Sequence, residues 1–302
     1  MASSRHLFFL VSFSVAIARC VAQDPASGTY PADPPADVSW PWRDWKATIT
    51  TIENKFNDAR KKDPTISVDL KIEYTQAQWD ALSSNQKALY LSNKERIDRG
   101  IKPYAAVSKE LKDVAEDFAK YLHDVEEGIA HNVNEGEWTG SGRSADACCG
   151  PTDRIAAKPG LGAGKEFFKF SENLAWQSAG TKDQIPEPEA LAIYNWIYDD
   201  SGSRWGHRHF SLAALNNNAG GAEAEGLLGF GVFQGNGETG KKKGSYEVMN
   251  VADEKATWDY ASADNLYLWS AMKGGGANVG TPGGGGAAPA VKAGTGAAAG
   301  AG

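Results

Sequence analysis

The sequence predicts an α+β fold, helices first and a strand pair last, on three observations. Apolar residues recur at steps of three and four through much of 42–122, the spacing of amphipathic helices. The runs 227–233 and 246–251 are rich in β-branched and aromatic residues and are joined by a Gly- and Lys-rich connection, as in a hairpin. No strand–helix–strand alternation and no internal repeat occurs, so a doubly wound parallel sheet is not expected.

Both ends stand apart from this core. Residues 1–23 read as a secretory signal, with Arg5 and His6 before an apolar run at 7–18 and small residues near Val21 and Ala22. That run is shorter than the roughly 20 residues a membrane-spanning helix needs, so the mature chain is expected to be secreted, with no transmembrane segment. Residues 24–41, rich in Pro, Ala and Asp, read as an extended leader. At the other end, 253–272 is an aromatic segment carrying Trp258, Tyr260, Leu266, Leu268 and Trp269. Residues 273–302 are nearly all Gly and Ala and read as a flexible tail with no face to bury.

Between the ends, Trp42, Trp45, Ile49, Ile52, Phe56 and Ala59 predict a helix that stops at Lys61-Lys62-Asp63-Pro64. The period then changes to two. Ile66, Val68, Leu70, Ile72 and Tyr74 alternate with polar residues and predict a half-buried strand. Thr75 is placed to cap a short helix with Trp79 and Leu82, and Ser84 a longer one that Gly100 closes. Ser108 can cap a third helix, whose stripe is Leu111, Val114, Ala115, Phe118 and Leu122. Glu172 follows Ser171 near an expected helix start, and 187–198 is a helix ending in Asp199 and Asp200.

The net charge is −7 and no basic stripe stands out, which excludes nucleic acid as the main partner. Cys20 would leave with the signal, so the mature chain keeps only the neighbours Cys148 and Cys149. Adjacent residues make a strained disulfide. Thiols, a labile bridge or a link between chains all stay open.

The residues that can carry chemistry are His131, Glu172, Asp199 (or Asp200) and His207. Each has an ordinary explanation by itself: a half-buried histidine, a helix-start acid, a helix-end acid, a surface imidazole. Taken in order, they resemble the CAP superfamily of cysteine-rich secretory proteins, antigen 5 and pathogenesis-related proteins, in its SCP-like microbial branch. The residues that carry the resemblance are Asn93-Lys94-Glu95-Arg96, Gly100-Ile101-Lys102-Pro103, the helix at 108–122, and His131. They continue with Ser171-Glu172-Asn173-Leu174-Ala175, the Trp196 helix ending in acids, Gly206-His207-Arg208, and Gly229-Phe230-Gly231-Val232. Ser171 stands where the family has Gly, and an Asp stands where many members have Glu.

The resemblance covers roughly 76–252, leaving 24–75 as an N-terminal extension. It implies a three-layer α-β-α sandwich, here with an extra N-terminal helix and strand. It also implies a cleft in which His131, Glu172, Asp199 and His207 converge, Asp199 matching by its distance from Trp196. Two neutral imidazoles, His131 and His207, could hold a zinc-class divalent cation. The acids could orient the rings or take a proton from bound water. The reading that follows is a non-enzymatic, secreted binding module for a small lipid-like ligand or a cell-envelope component. The alternative is a metal-assisted hydrolase with Glu172 as general base.

Overall fold

The computed structural model describes residues 30–40, 48–125, 129–132, 150–156, 167–178, 184–215, 224–235, 244–254 and 265–272. Residues 1–23, read as a signal, residues 273–302, read as a tail, Cys148 and Cys149, and the aromatic residues Trp258 and Tyr260 lie outside these.

Helix α1, Ile49–Arg60, starts where the Thr48 side chain accepts from the Thr51 amide, and it buries Ile52, Phe56 and Ala59. Trp42 and Trp45, expected in its first turns, lie outside the described residues. The next stretch corrects an expectation. Its period-two burial is real: Ile66, Leu70, Ile72 and Tyr74 are buried, and Val68 is 48% exposed. Yet 65–74 is extended chain, not a strand. It lies along α1, where side chains replace the ladder. The Leu70 amide donates to Asn57 Oδ1 at 2.5 Å, the Ile72 amide to Glu53 Oε1 at 2.7 Å, and the Glu73 amide to the Tyr90 hydroxyl at 3.0 Å. Alternation reports which side is buried, not which backbone supplies the partner.

Helix α2, Gln76–Asp80, opens with a reciprocal cap between Thr75 and Gln78. Helix α3, Ser84–Ile97, has the same device between Ser83 and Gln86, so its cap is Ser83 and not Ser84. Beyond its end Gly100 takes φ +74, and the Ile101 amide turns back to the Arg96 carbonyl at 2.9 Å. Strand β1, Ala106–Ser108, is too short to leave a periodicity. Helix α4, Lys109–Val125, then buries its expected stripe. The remaining elements are α5 (Pro151–Ala156), β2 (Phe167–Ser178), α6 (Pro188–Tyr198) and α7 (Gly206–Leu212). They are followed by β3 (Leu227–Gly235), β4 (Gly244–Glu254), β5 (Asn265–Leu268) and α8 (Trp269–Met272). Glu172 therefore sits inside a strand and not at a helix start.

Among the described residues the sheet order is β2-β4-β3-β1-β5, with β1 and β3 parallel and the other pairs antiparallel. The β3–β4 pair is the hairpin read from the sequence. Helix α4 covers one face. It comes so near that a Cβ on Gly229 or Gly231 would stand 2.2 Å from the backbone of Leu111 or Ala115. On the other face, Leu228, Phe230, Met249 and Val251 pack with Leu89 and Leu91 of α3 and Trp196 of α6. Helices on both faces of one mixed sheet make the three-layer α+β sandwich.

The N-terminal part is integral to this core. The leader stretch 30–40 lies against α6: the Val38 amide donates to the Tyr198 carbonyl, and the Tyr194 hydroxyl to the Val38 carbonyl, each at 2.7 Å. Behind it runs a buried ionic network. Arg60 meets Glu95 at 2.7 Å and Asp98 at 2.8 Å, and Arg99 meets Glu95 at 2.5 Å and Asp63 at 2.7 Å. Arg208 meets Asp63 at 2.9 Å. Charges this deep persist because each has a partner of opposite sign.

Candidate functional site

Strand β2 organises the site. Successive residues of a strand face opposite sides, so Glu172 points to the α4 side and Asn173 to the α6 side. Glu172 is buried, and His131 Nδ1 lies 2.9 Å from its Oε1. Arg154 of α5 donates to both carboxylate oxygens at 2.8 Å, gives a third bond to the His131 carbonyl at 2.9 Å, and stacks over the Phe118 ring 3.5 Å from its centre. Burial by itself would raise the Glu172 carboxyl. Arg154 and then His131 outweigh it and hold the group below the usual carboxylate range. An ionised Glu172 can only accept, so Nδ1 of His131 carries a proton and Nε2 is the nitrogen left to face a ligand.

The second pair forms where α6 ends. The chain turns through Ser201–Ser203, which brings Asp200 back over the start of α7. Asp200 Oδ1 lies 2.7 Å from His207 Nδ1 and also accepts from the Ser203 hydroxyl. Its Oδ2 accepts the His207 amide at 2.9 Å and the Arg208 amide at 3.2 Å. Asp199, the acid favoured from its spacing to Trp196, turns away and accepts from the Ser39 hydroxyl at 3.1 Å. The acid that meets His207 is therefore Asp200, because a one-residue step at the helix end reverses the side-chain direction. His209 lies apart, 2.7 Å from Asp33 and stacked on Tyr30.

Asn173 ties α7 to β2, donating to the His207 carbonyl at 3.0 Å and to the Ser211 hydroxyl at 2.8 Å. The Trp196 indole donates to the Leu174 carbonyl at 3.0 Å. The two histidine pairs thus attach to neighbouring residues of one strand. Each imidazole is held by a carboxylate through Nδ1 and is about a quarter exposed, 26% for His131 and 23% for His207. Among the described residues no three His, Cys, Asp or Glu side chains form a group that could hold a metal ion. A single zinc-class ion shared by His131 and His207 does not fit this arrangement, and no chemistry is routed through one. Sequence reading overlooked Arg154, and the anchoring role of Asn173, although Asn173 lies inside a quoted motif.

Solved structures similar to this chain include two with SCP or CAP domains. One is an extracellular protein containing an SCP domain from Bacillus anthracis, with 18% identity, 62% of this chain covered and a TM-score of 0.35. The other is the CAP domain of Enterococcal PrgA, with 16% identity, 81% of this chain and 93% of that chain covered, and a TM-score of 0.34. This chain spans 45% of the length of the Bacillus anthracis protein. No family model and no curated protein matches. No helix among the described residues is long and apolar enough to cross a membrane.

Proposed function

We propose that this chain is a secreted CAP/SCP-like protein that works as a binding module, with the His131–Glu172 and Asp200–His207 pairs as its polar sites. The order of the sequence motifs supports the family reading. The observation that carries the choice of binding over catalysis is Arg154. A general base needs a carboxyl that takes up protons near the working pH. Arg154, with His131, holds the Glu172 carboxyl below the usual carboxylate range, which makes it a poor proton acceptor there. Glu172 is thus a positioning group, which orients His131 and leaves its Nε2 to face a ligand. Imidazoles held this way, each about a quarter exposed, suit a small lipid-like or cell-envelope molecule with a hydroxyl head.

The test pairs turnover with binding. The mature protein and Glu172→Gln are assayed on a peptide and ester panel with and without zinc, and then for binding of fatty acid, sterol and cell-envelope fractions. Binding that weakens at least tenfold in the variant, with no turnover in either protein, is expected. Zinc-dependent turnover that disappears in Glu172→Gln would establish the hydrolase reading instead.

A further inference from the structure

A second polar site lies on the sheet face that α3 and α6 cover. The strand register sets Gln177 opposite Ser245 and Ala175 opposite Glu247. Ser245 and Glu247 are two residues apart on β4, so their side chains and that of Gln177 leave the same face. The first turn of α6 closes over them. The Gln177 amide donates to the Pro188 carbonyl at 3.4 Å, and the Glu189 carboxyl is near enough to act on the charge of Glu247.

Four polar side chains share this space, and all are more than nine-tenths buried: Gln177 is 7% exposed, Glu189 2%, Ser245 and Glu247 0%. Gln177 Oε1 and Glu189 Oε2 have no hydrogen-bond partner, and the Glu247 carboxylate has only the Ser245 and Gln177 side chains beside it. Buried oxygens are normally satisfied, so such a cluster asks for something its oxygens could all bind.

Charge points the same way. Several other buried acids each meet an arginine: Glu95 has Arg60 and Arg99, Glu225 has Arg96, and Glu172 has Arg154. Here Lys87 lies 2.6 Å from Glu187 and 3.6 Å from Glu189 and is the cation beside them among the described residues. Glu187, Glu189 and Glu247 together exceed it by two negative charges when all are ionised.

We propose that Gln177, Glu189, Ser245 and Glu247 form a binding site for a divalent cation of the calcium class. Every donor is oxygen, the ligand type of hard cations, and the set mixes carboxylate, amide carbonyl and hydroxyl as calcium accepts. Zinc would favour nitrogen and sulfur. One such ion supplies two positive charges, the size of the excess. The site shares no residue with the His131 and His207 pairs and does not rest on the binding function proposed for them.

The test uses the full chain freed of metal with chelator at pH 7. Calcium is followed by melting temperature, and terbium by emission sensitised through Trp79, whose indole donates to Glu187 at 3.0 Å. Saturable terbium emission displaced by calcium is expected. Calcium at a hundredfold excess over Kd should raise the melting temperature by about 5 °C or more. Glu247→Gln should abolish both signals and His131→Ala should keep them. Ser245→Ala removes a neutral ligand without a charge and should weaken calcium at least severalfold. That variant decides the question if Glu247→Gln does not fold. No response up to about 10 mM calcium, well above the weakest extracellular sites, or a response unchanged in the Ser245 and Glu247 variants, overturns the proposal and leaves these carboxyls as buried acids.

Discussion

Asp63→Asn keeps the shape of a buried side chain and removes one charge, which makes it a sharp probe of how the N-terminal part is joined to the site. Asp63 is fully buried and meets Arg99 at 2.7 Å and Arg208 at 2.9 Å. In the variant Arg99 retains Glu95, but Arg208 is left with the Ile197 and Ala32 carbonyls and the Thr65 hydroxyl, all neutral. Its Nε already lacks a partner. Removing one member of a buried pair costs about 3–5 kcal/mol. The lower end applies here because Arg99 stays paired. At 2–4 °C per kcal/mol, the melting temperature should fall by about 6–12 °C at pH 7. The pH dependence has a definite sign. Burial alone would raise the Asp63 carboxyl, but Arg99, Thr65 and Arg208 outweigh it, so its folded value is lowered. Its contribution is then present above the unfolded value of about 3.9 and lost as pH falls through the folded one. Urea melts of both proteins from pH 7 down to 3 should show the difference shrinking only below about pH 4. A loss under about 1 kcal/mol at pH 7, or a difference that grows on acidification, would refute the reasoning.

Gly231→Ala places a methyl 2.2 Å from the Ala115 backbone, so chemical denaturation should show a loss of about 1–3 kcal/mol or more from overpacking. Asp200→Asn should disturb the His207 ring and Asp199→Asn should not, read from imidazole nitrogen shifts by NMR. A fragment of 76–252 lacks Arg60 and Asp63 and should not give a cooperative melt, whereas deleting 273–302 should leave the melting temperature unchanged within about 1 °C. Mass spectrometry of the native secreted protein should find a start after residue 23, and an intact Met1 would remove the export reading.

Local chemistry was legible in the sequence wherever a few neighbouring residues decide the outcome. The α4 stripe, the caps at Thr75 and Ser108, the turn at Gly100 and the β3–β4 hairpin each follow from contacts within a handful of positions, and periodicity or a single residue type announces them. The motif order also pointed to His131, Glu172 and His207. Tertiary structure decided what depends on partners far along the chain. The alternating stretch at 65–74 became extended chain because α1 and Tyr90 offer side-chain acceptors where another strand would offer a ladder. Glu172 fell inside β2 because β4 lay ready to pair with it. Asp200 displaced Asp199 because the turn after α6, anchored by the start of α7, chooses which carboxylate faces the imidazole. Arg154, Asp63 and the Glu247 cluster could not be read at all, since a buried charge is defined by its partners, and these include residues far along the chain, 18 positions for Arg154 and Glu172 and 145 for Asp63 and Arg208.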